Sequence, residues 1–212
     1  MSPAGPATVF LCGPRVGGNS DAAGLAFASG LARAGIEPRI IRLREHKVRP
    51  CRGCGACALG PAHGCPLGGD EAEFLFEIIR EASVLAFAAP IYFYHLPAPF
   101  KALIDRAQRH YAVRLDREQS GGPAPAERVV EVLLVAGRRE GRQLFTGSLL
   151  TLRYFLWPFD ARPTENPCLL RGYDGPDDLA GDSATLEALA VRGQAAAGTV
   201  PGLRRLGEPD PV

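Results

Sequence analysis

No stretch of these 212 residues approaches the roughly 20 consecutive apolar positions needed to cross a bilayer. Neither sign of charge dominates. Lysines and arginines number 24 against 23 aspartates and glutamates, a formal net charge of +1, which argues against a dedicated nucleic-acid binder, where a marked basic excess is expected. Met1 to Ala7 lacks a basic segment followed by a long apolar one, so no signal peptide is read and a cytoplasmic location is expected. In that compartment stable disulfides are disfavoured. There are no internal repeats. Also missing are the Walker pattern, the G-x-G-x-x-G dinucleotide fingerprint, an H-x-x-x-H helix and a G-x-S-x-G elbow. These absences weigh against a nucleoside triphosphatase, a typical dehydrogenase, a zinc protease and a serine hydrolase.

What is present is an ordinary globular composition, 46% hydrophobic and 22% charged, long enough for one substantial core. Apolar runs at 7–12, 38–43, 83–90, 129–137 and 167–172 read as strands. Between them helices are expected over about 20–34, 71–82, 100–111 and 142–157, with a last one over 183–197. Leu25, Ala28, Leu31 and Ala32 are the expected apolar face of the first helix, and Phe74, Leu75, Ile78 and Ile79 that of the second. Residues 120–128 read as a flexible connection and 199–212 as a Pro/Gly-rich mobile tail, leaving 1–198 as the domain. Strands alternating with helices imply a parallel sheet covered on both faces. Five strands suit a doubly wound three-layer α/β/α sheet of order 2-1-3-4-5. Ligands bind such sheets beyond the carboxyl ends of the strands, where the order reverses. That rule gathers residues 12–20, 90–95 and 137–142 around one crevice.

The first of these segments, "CGPRVGGNS" (residues 12–20), joins a strand to a helix N-terminus. Backbone N–H groups and the helix dipole there favour an anion. Gly17 and Gly18 allow close approach, Arg15 adds charge, and Asn19 and Ser20 add side-chain donors. The second, "PIYFYHLPAPFKALIDR" (90–106), offers Tyr92, Phe93 and Tyr94 as flat apolar surface, suited to a planar ring or to a subunit interface. His95 is the best-placed histidine, and Lys101 with Asp105 reads as an i, i+4 helix pair.

Between these segments lies "CRGCGACALGPAHGCP" (51–66), with four of the six cysteines spaced C-x2-C-x2-C-x7-C. The tandem two-residue gaps are like those that present thiolates to a [4Fe–4S] cluster. Zinc, which usually prefers two separated Cys knuckles, and no metal at all remain open. The ligands would be Cys51, Cys54, Cys57 and Cys65, with Gly53, Gly55, Gly60 and Gly64 letting the backbone curl. Arg44, His46, Lys47, Arg49 and Arg52 flank the loop, and cations there would raise the potential of an anionic cluster and steer an acidic carrier. A solvated basic loop is the plainer account. Cys12 and Cys168 read as small buried hydrophobes.

Residues 12–20 resemble the G-S-P-R-x-x-G-N-S loop of the flavodoxin-like NADPH-dependent FMN reductase family, and 89–106 resemble its second signature, P-x-Y, a Pro and K-x-x-x-D-R. The cysteine loop resembles that of the iron–sulfur flavoprotein branch. The resemblance covers residues 7–140. It implies a phosphate of FMN on Pro14, Arg15, Gly18, Asn19 and Ser20, an isoalloxazine ring against Pro90, Ile91, Tyr92 and Phe93, and Gly137 approaching its other side. It departs at Gly13, where the family's Ser would add a hydroxyl donor. The implied activity is electron transfer between NAD(P)H or ferredoxin and a small-molecule acceptor, in a homodimer or homotetramer. A cluster-free flavin or quinone reductase, a non-enzymatic electron carrier and a zinc module are the alternatives.

Overall fold

A computed structural model describes residues 5–59, 64–121 and 126–198. Six parallel strands form one sheet: β1 (Ala7–Leu11), β2 (Arg39–Arg42), β3 (Val84–Pro90), β4 (Arg128–Ala136), β5 (Ala161–Pro163) and β6 (Cys168–Arg171). The order is β2-β1-β3-β4, and β5 and β6 share the outer edge of β4. The expected order 2-1-3-4-5 therefore holds, with its fifth strand broken in two. β5 pairs with the start of β4 (Arg128↔Ala161) and β6 with its end (Leu133↔Cys168). "ARP" at 161–163 is too short, and carries a proline, to announce a strand by pattern.

The helices are α1 (Asn19–Arg33), α2 (Ala72–Glu81), α3 (Ala98–Arg106), α4 (Gln108–Gln119), α5 (Thr146–Leu156) and α6 (Ser183–Ala197). Strand alternation sorts the core into two layers. Phe10, Leu85, Phe87, Ala89, Val132 and Leu134 face α2, α3 and α5. Val9, Leu11, Ala86, Ala88, Leu133 and Val135 face α1 and α6. A sheet buried on both sides requires strands that are apolar throughout, as β3 is.

Two helix faces differ in part from those the periodicity suggests. Beyond its first turn α1 buries Ala23, Gly24, Phe27, Gly30 and, as expected, Ala28 and Leu31, while Leu25 is exposed, as is Ala32. The face is set by small residues, because a Cβ on Gly30 would lie 1.8 Å from the Ala190 carbonyl oxygen of α6, and one on Gly193 would lie 2.0 Å from that of Phe27. The two helices cross backbone to backbone. In α2, Leu75, Ile78 and Ile79 are buried as expected, but Phe76 is buried and Phe74 is exposed. The expected single helix over 100–111 is two, breaking at Ala107. The expected tail at 199–212 and part of the 120–128 connection lie outside the described residues.

Candidate active site

The loop after β1 reaches the α1 N-terminus without a side-chain cap: Gly18 is the capping residue, and the first turn's N–H groups open onto the crevice. Gly17 takes φ +67°, a conformation that favours glycine. Its N–H donates to the Asp21 carboxylate at 3.0 Å, which pins the turn. Arg15 folds over Gly18, where an added Cβ would come within 3.1 Å of its Nε. Ser20 is 5% exposed, and its hydroxyl has no partner among the described residues.

Asn19 plays a different part from the expected one. Its side-chain amide donates to the carbonyls of Tyr173 (3.0 Å) and Gly175 (2.7 Å), and its Oδ1 accepts from the Leu179 N–H (3.0 Å). Both donor hydrogens are thus engaged with the loop after β6, so Asn19 faces the crevice with backbone only. Sequence reasoning missed that loop. The run "GYDGPDD" at 172–178 carries strong turn residues at the carboxyl end of the edge strand, the one signal that could have drawn it in.

A cavity of about 180 Å³ results, lined by Gly13, Arg15, Gly18, Asn19, Ser20, Pro90, Ile91, Tyr92, Val135, Gly137, Tyr173 and Asp174. Eight of the ten residues expected around FMN line it. Pro14 lies within the same loop, and Phe93 stands outside, in an adjoining open groove with Ile91, Tyr92, His95, Leu96 and Lys101. A larger groove of about 850 Å³ lies beside β5, between α4 and α5. Because β5 pairs with the first residues of β4, that groove is at the wrong end of the sheet for a strand-end ligand.

The second loop is strained. Tyr92 and His95 exchange backbone hydrogen bonds of 2.9 Å, and between them Phe93 (φ +49°) and Tyr94 (φ +64°) are both left-handed. Such a turn normally takes Asn or Gly. Phe93 is fully exposed at its tip. Arg138, after β4, stands over the Tyr94 ring at 5.9 Å. His95 is held by Thr151 of α5 at 3.1 Å. Lys101 pairs with Asp105 at 2.5 Å, as the spacing predicts.

The cysteine arm leaves β2 beside this crevice, and its neck is closed by hydrogen bonds. The Glu71 N–H donates to the Lys47 carbonyl (2.9 Å), and the Lys47 and Arg49 N–H groups donate to the Glu71 and Asp70 carboxylates (2.7 and 2.9 Å). Arg106 of α3, 3% exposed, donates to Asp70 (2.5 Å) and to the carbonyls of Arg49 and Leu67 (both 3.2 Å). It also interacts with Cys65. Burial pushes the Asp70 carboxyl up, but the hydrogen bonds from Arg106, Arg49 and Ala72 more than offset that and hold it below the ordinary aspartate value. Of the flanking basic residues, Arg44 pairs with Asp21, His46 Nδ1 lies 2.8 Å from Glu71, and Arg49 lies 3.8 Å from Asp70, which it shares with Arg106.

Gly53 and Gly55 both have positive φ, as a curling loop requires. All four thiols are free, Cys51 and Cys54 exposed and Cys57 and Cys65 partly so. The donor set suits a metal, but among the described residues no three metal-ligating side chains are drawn to one point. Cys12 is buried, and burial, with Asp21 nearby, pushes its thiol well above the usual value, as suits a core residue.

The model for the family described as NADPH-dependent FMN reductase matches residues 7–154. The chain belongs to the NADPH-dependent FMN reductase family. Among curated relatives of this FMN reductase homologue, an iron-sulfur flavoprotein of Methanosarcina thermophila is 33% identical over 109 residues, 51% of each chain. One of Methanocaldococcus jannaschii is 32% identical over 95 residues, 45% of this chain and 48% of the relative. The chain thus spans about half the length of the curated relatives it matches. Among solved structures, an NAD(P)H:quinone oxidoreductase from Methanothermobacter marburgensis superposes with a TM-score of 0.62 at 21% identity, covering 91% of this chain and 98% of that one. A flavone reductase superposes with a TM-score of 0.63 at 14% identity, covering 91% and 62%. At those identities the superpositions establish the flavodoxin-like fold of the reductase family. Among the described residues no helix is long and apolar enough to cross a membrane.

Proposed function

We propose that this chain binds FMN in the crevice and moves electrons from NAD(P)H, or from a reduced carrier such as ferredoxin, to a small acceptor. One observation carries the reading: a single cavity combines an uncapped helix N-terminus, a free Ser20 hydroxyl and the Pro90–Tyr92 wall at the switch point of a doubly wound sheet. The N–H groups of Gly13, Gly18 and Asn19, the Ser20 hydroxyl and Arg15 would hold a phosphate. Pro90, Ile91 and Tyr92 would orient a planar ring, with Gly137 and Asp174 opposite and Phe93 excluding water from above. Bound FMN would supply a two-electron acceptor that also releases electrons singly.

We further assign a [4Fe–4S] cluster to Cys51, Cys54, Cys57 and Cys65. The tandem spacing, the left-handed glycines and the names of the relatives support that assignment; the dispersed thiols favour the cluster-free reductase as the second reading. A homodimer fits the exposed Leu150 and Tyr154 on α5. Anaerobic purification followed by flavin, iron, sulfide and zinc analysis, and then anaerobic titration with NADPH, tests the proposal. Flavin with sulfide supports the cluster; flavin without sulfide, even after reconstitution, selects the plain reductase. Protein that takes up no FMN overturns the reading altogether.

A further inference from the structure

An acidic side chain sits directly beneath the loop that this reading gives to an anion. Asp21 is 2% exposed and lies in the first turn of α1. It is matched by Arg44, which follows β2 on the cysteine arm. Arg44 meets the carboxylate through both terminal nitrogens, Nη1 to Oδ1 at 3.1 Å and Nη2 to Oδ2 at 2.9 Å. The same Nη1 donates to the Gly13 carbonyl at 3.2 Å, while Asp21 Oδ2 accepts the Gly17 N–H. The pair therefore touches the first and last turns of the anion loop at once. The side chains are 11% and 3% exposed, so solvent screens their charges little.

Resting on the FMN reading, we propose that Arg44 and Asp21 are positioning residues that make this crevice selective for a phosphorylated flavin. The buried pair holds Gly13 and Gly17 in the curvature that aims the loop's N–H groups inward. Arg44 also cancels a carboxylate that would otherwise repel a phosphate dianion. The arrangement is charge-specific. Removing Arg44 leaves a buried negative charge beside the ligand's own, whereas removing the Asp21 charge leaves a net positive one. A purely structural role for the pair would weaken phosphorylated and unphosphorylated flavins alike.

The test is a comparison of dissociation constants for FMN and riboflavin, measured by fluorescence quenching on Arg44→Met, Asp21→Asn and the double variant. One buried unpaired charge acting on a phosphate is expected to change the riboflavin-to-FMN ratio of constants by about tenfold, the equivalent of roughly 1.4 kcal/mol. Arg44→Met should lower the ratio; Asp21→Asn, whose side-chain carbonyl can still accept from the Gly17 N–H and so keep the curvature while removing the charge, should raise it; and the double variant should return it to within about threefold of wild type. Riboflavin binding reports folding in each variant, and if Arg44→Met does not fold, the sign of the Asp21→Asn change decides. A ratio that moves the same way in both single variants, or in neither, overturns the pair's role while leaving the FMN reading intact. Wild-type protein that binds neither flavin overturns the reading, and the inference falls with it.

Discussion

Replacing Gly30 with Ala tests how α1 is seated, and with it the loop that α1 carries. On an exposed helix this substitution gains about 1 kcal/mol, because Ala restricts the unfolded chain and suits the helix. Here the new Cβ would sit 1.8 Å from the carbonyl oxygen of Ala190. The obstacle is backbone of α6 and cannot rotate away. Restoring an ordinary contact requires the helices to part locally by roughly 1–1.5 Å, which forfeits a quarter to a half of the dispersion attraction between the facing atoms. Overpacking of this kind costs about 1–3 kcal/mol, and more where nothing can yield. Phe27, Leu31, Leu189 and Ala196, all buried at this contact, leave little room to relax. With the upper half of that range, about 2–3 kcal/mol, expected against rigid backbone, subtracting the helix gain leaves a net loss of about 1–2 kcal/mol, or roughly 2–8 °C in Tm for a domain of this size. Urea denaturation followed by far-UV circular dichroism measures it. FMN affinity should fall in parallel, because the N-terminus of α1 forms the floor of the crevice. A Gly30→Ala protein as stable as wild type would refute the backbone-to-backbone crossing.

Other outcomes follow from the same packing. Phe93→Asn relieves a left-handed aromatic that buries nothing, and should raise stability by about 1 kcal/mol in thermal denaturation; a drop in Tm would show that the turn is not strained. Arg106→Met takes from buried Asp70 its close cation, leaving only Arg49 at 3.8 Å, and frees the Arg49 and Leu67 carbonyls, a loss of about 3 kcal/mol. Limited proteolysis within 50–66 should accelerate markedly, and unchanged cleavage would contradict the closed neck. His110, buried beside Phe76 and Phe159, accepts a hydrogen bond from Arg80 at 2.6 Å. Burial lowers its pKa; a hydrogen bond with Glu73 opposes this, and Arg80 and Arg109 assist it. The folded state therefore binds the proton less readily than the unfolded one, so this contribution is present above the unfolded value of about 6.5 and is lost as pH falls below it. Denaturation between pH 7 and 5 should show a stability slope that His110→Phe reduces; an equal slope in the variant would dismiss that residue as its source.

The strand order and the main crevice were legible because both depend on local pattern: apolar runs for the strands, Gly, Pro and Asn at their carboxyl ends for the loops. The α1 face was legible only in part, because periodicity weighs large side chains and, beside Phe27 and Leu31, this helix is buried on glycine and alanine. Phe74 and Phe76 show a related failure, since both are apolar and two apart, and only the neighbouring layer decides which is covered. The engagement of Asn19 by a loop more than 150 positions away is tertiary information, as is the match of Arg44 to Asp21. The short β5 carries no signal that a turn would not carry equally well.

The broken outer strand also bears on how the molecule can associate. Between Pro163 and Cys168 the ladder shifts by two residues relative to β4, and prolines 163 and 167 bring no amide hydrogen to that border. On the far side of the sheet, β2 is four residues long with an arginine at each end. Neither margin offers the long, regular row of free amides and carbonyls that another chain could extend. Growth by continuing the sheet is thus discouraged at both borders, and any self-association is left to the helical faces.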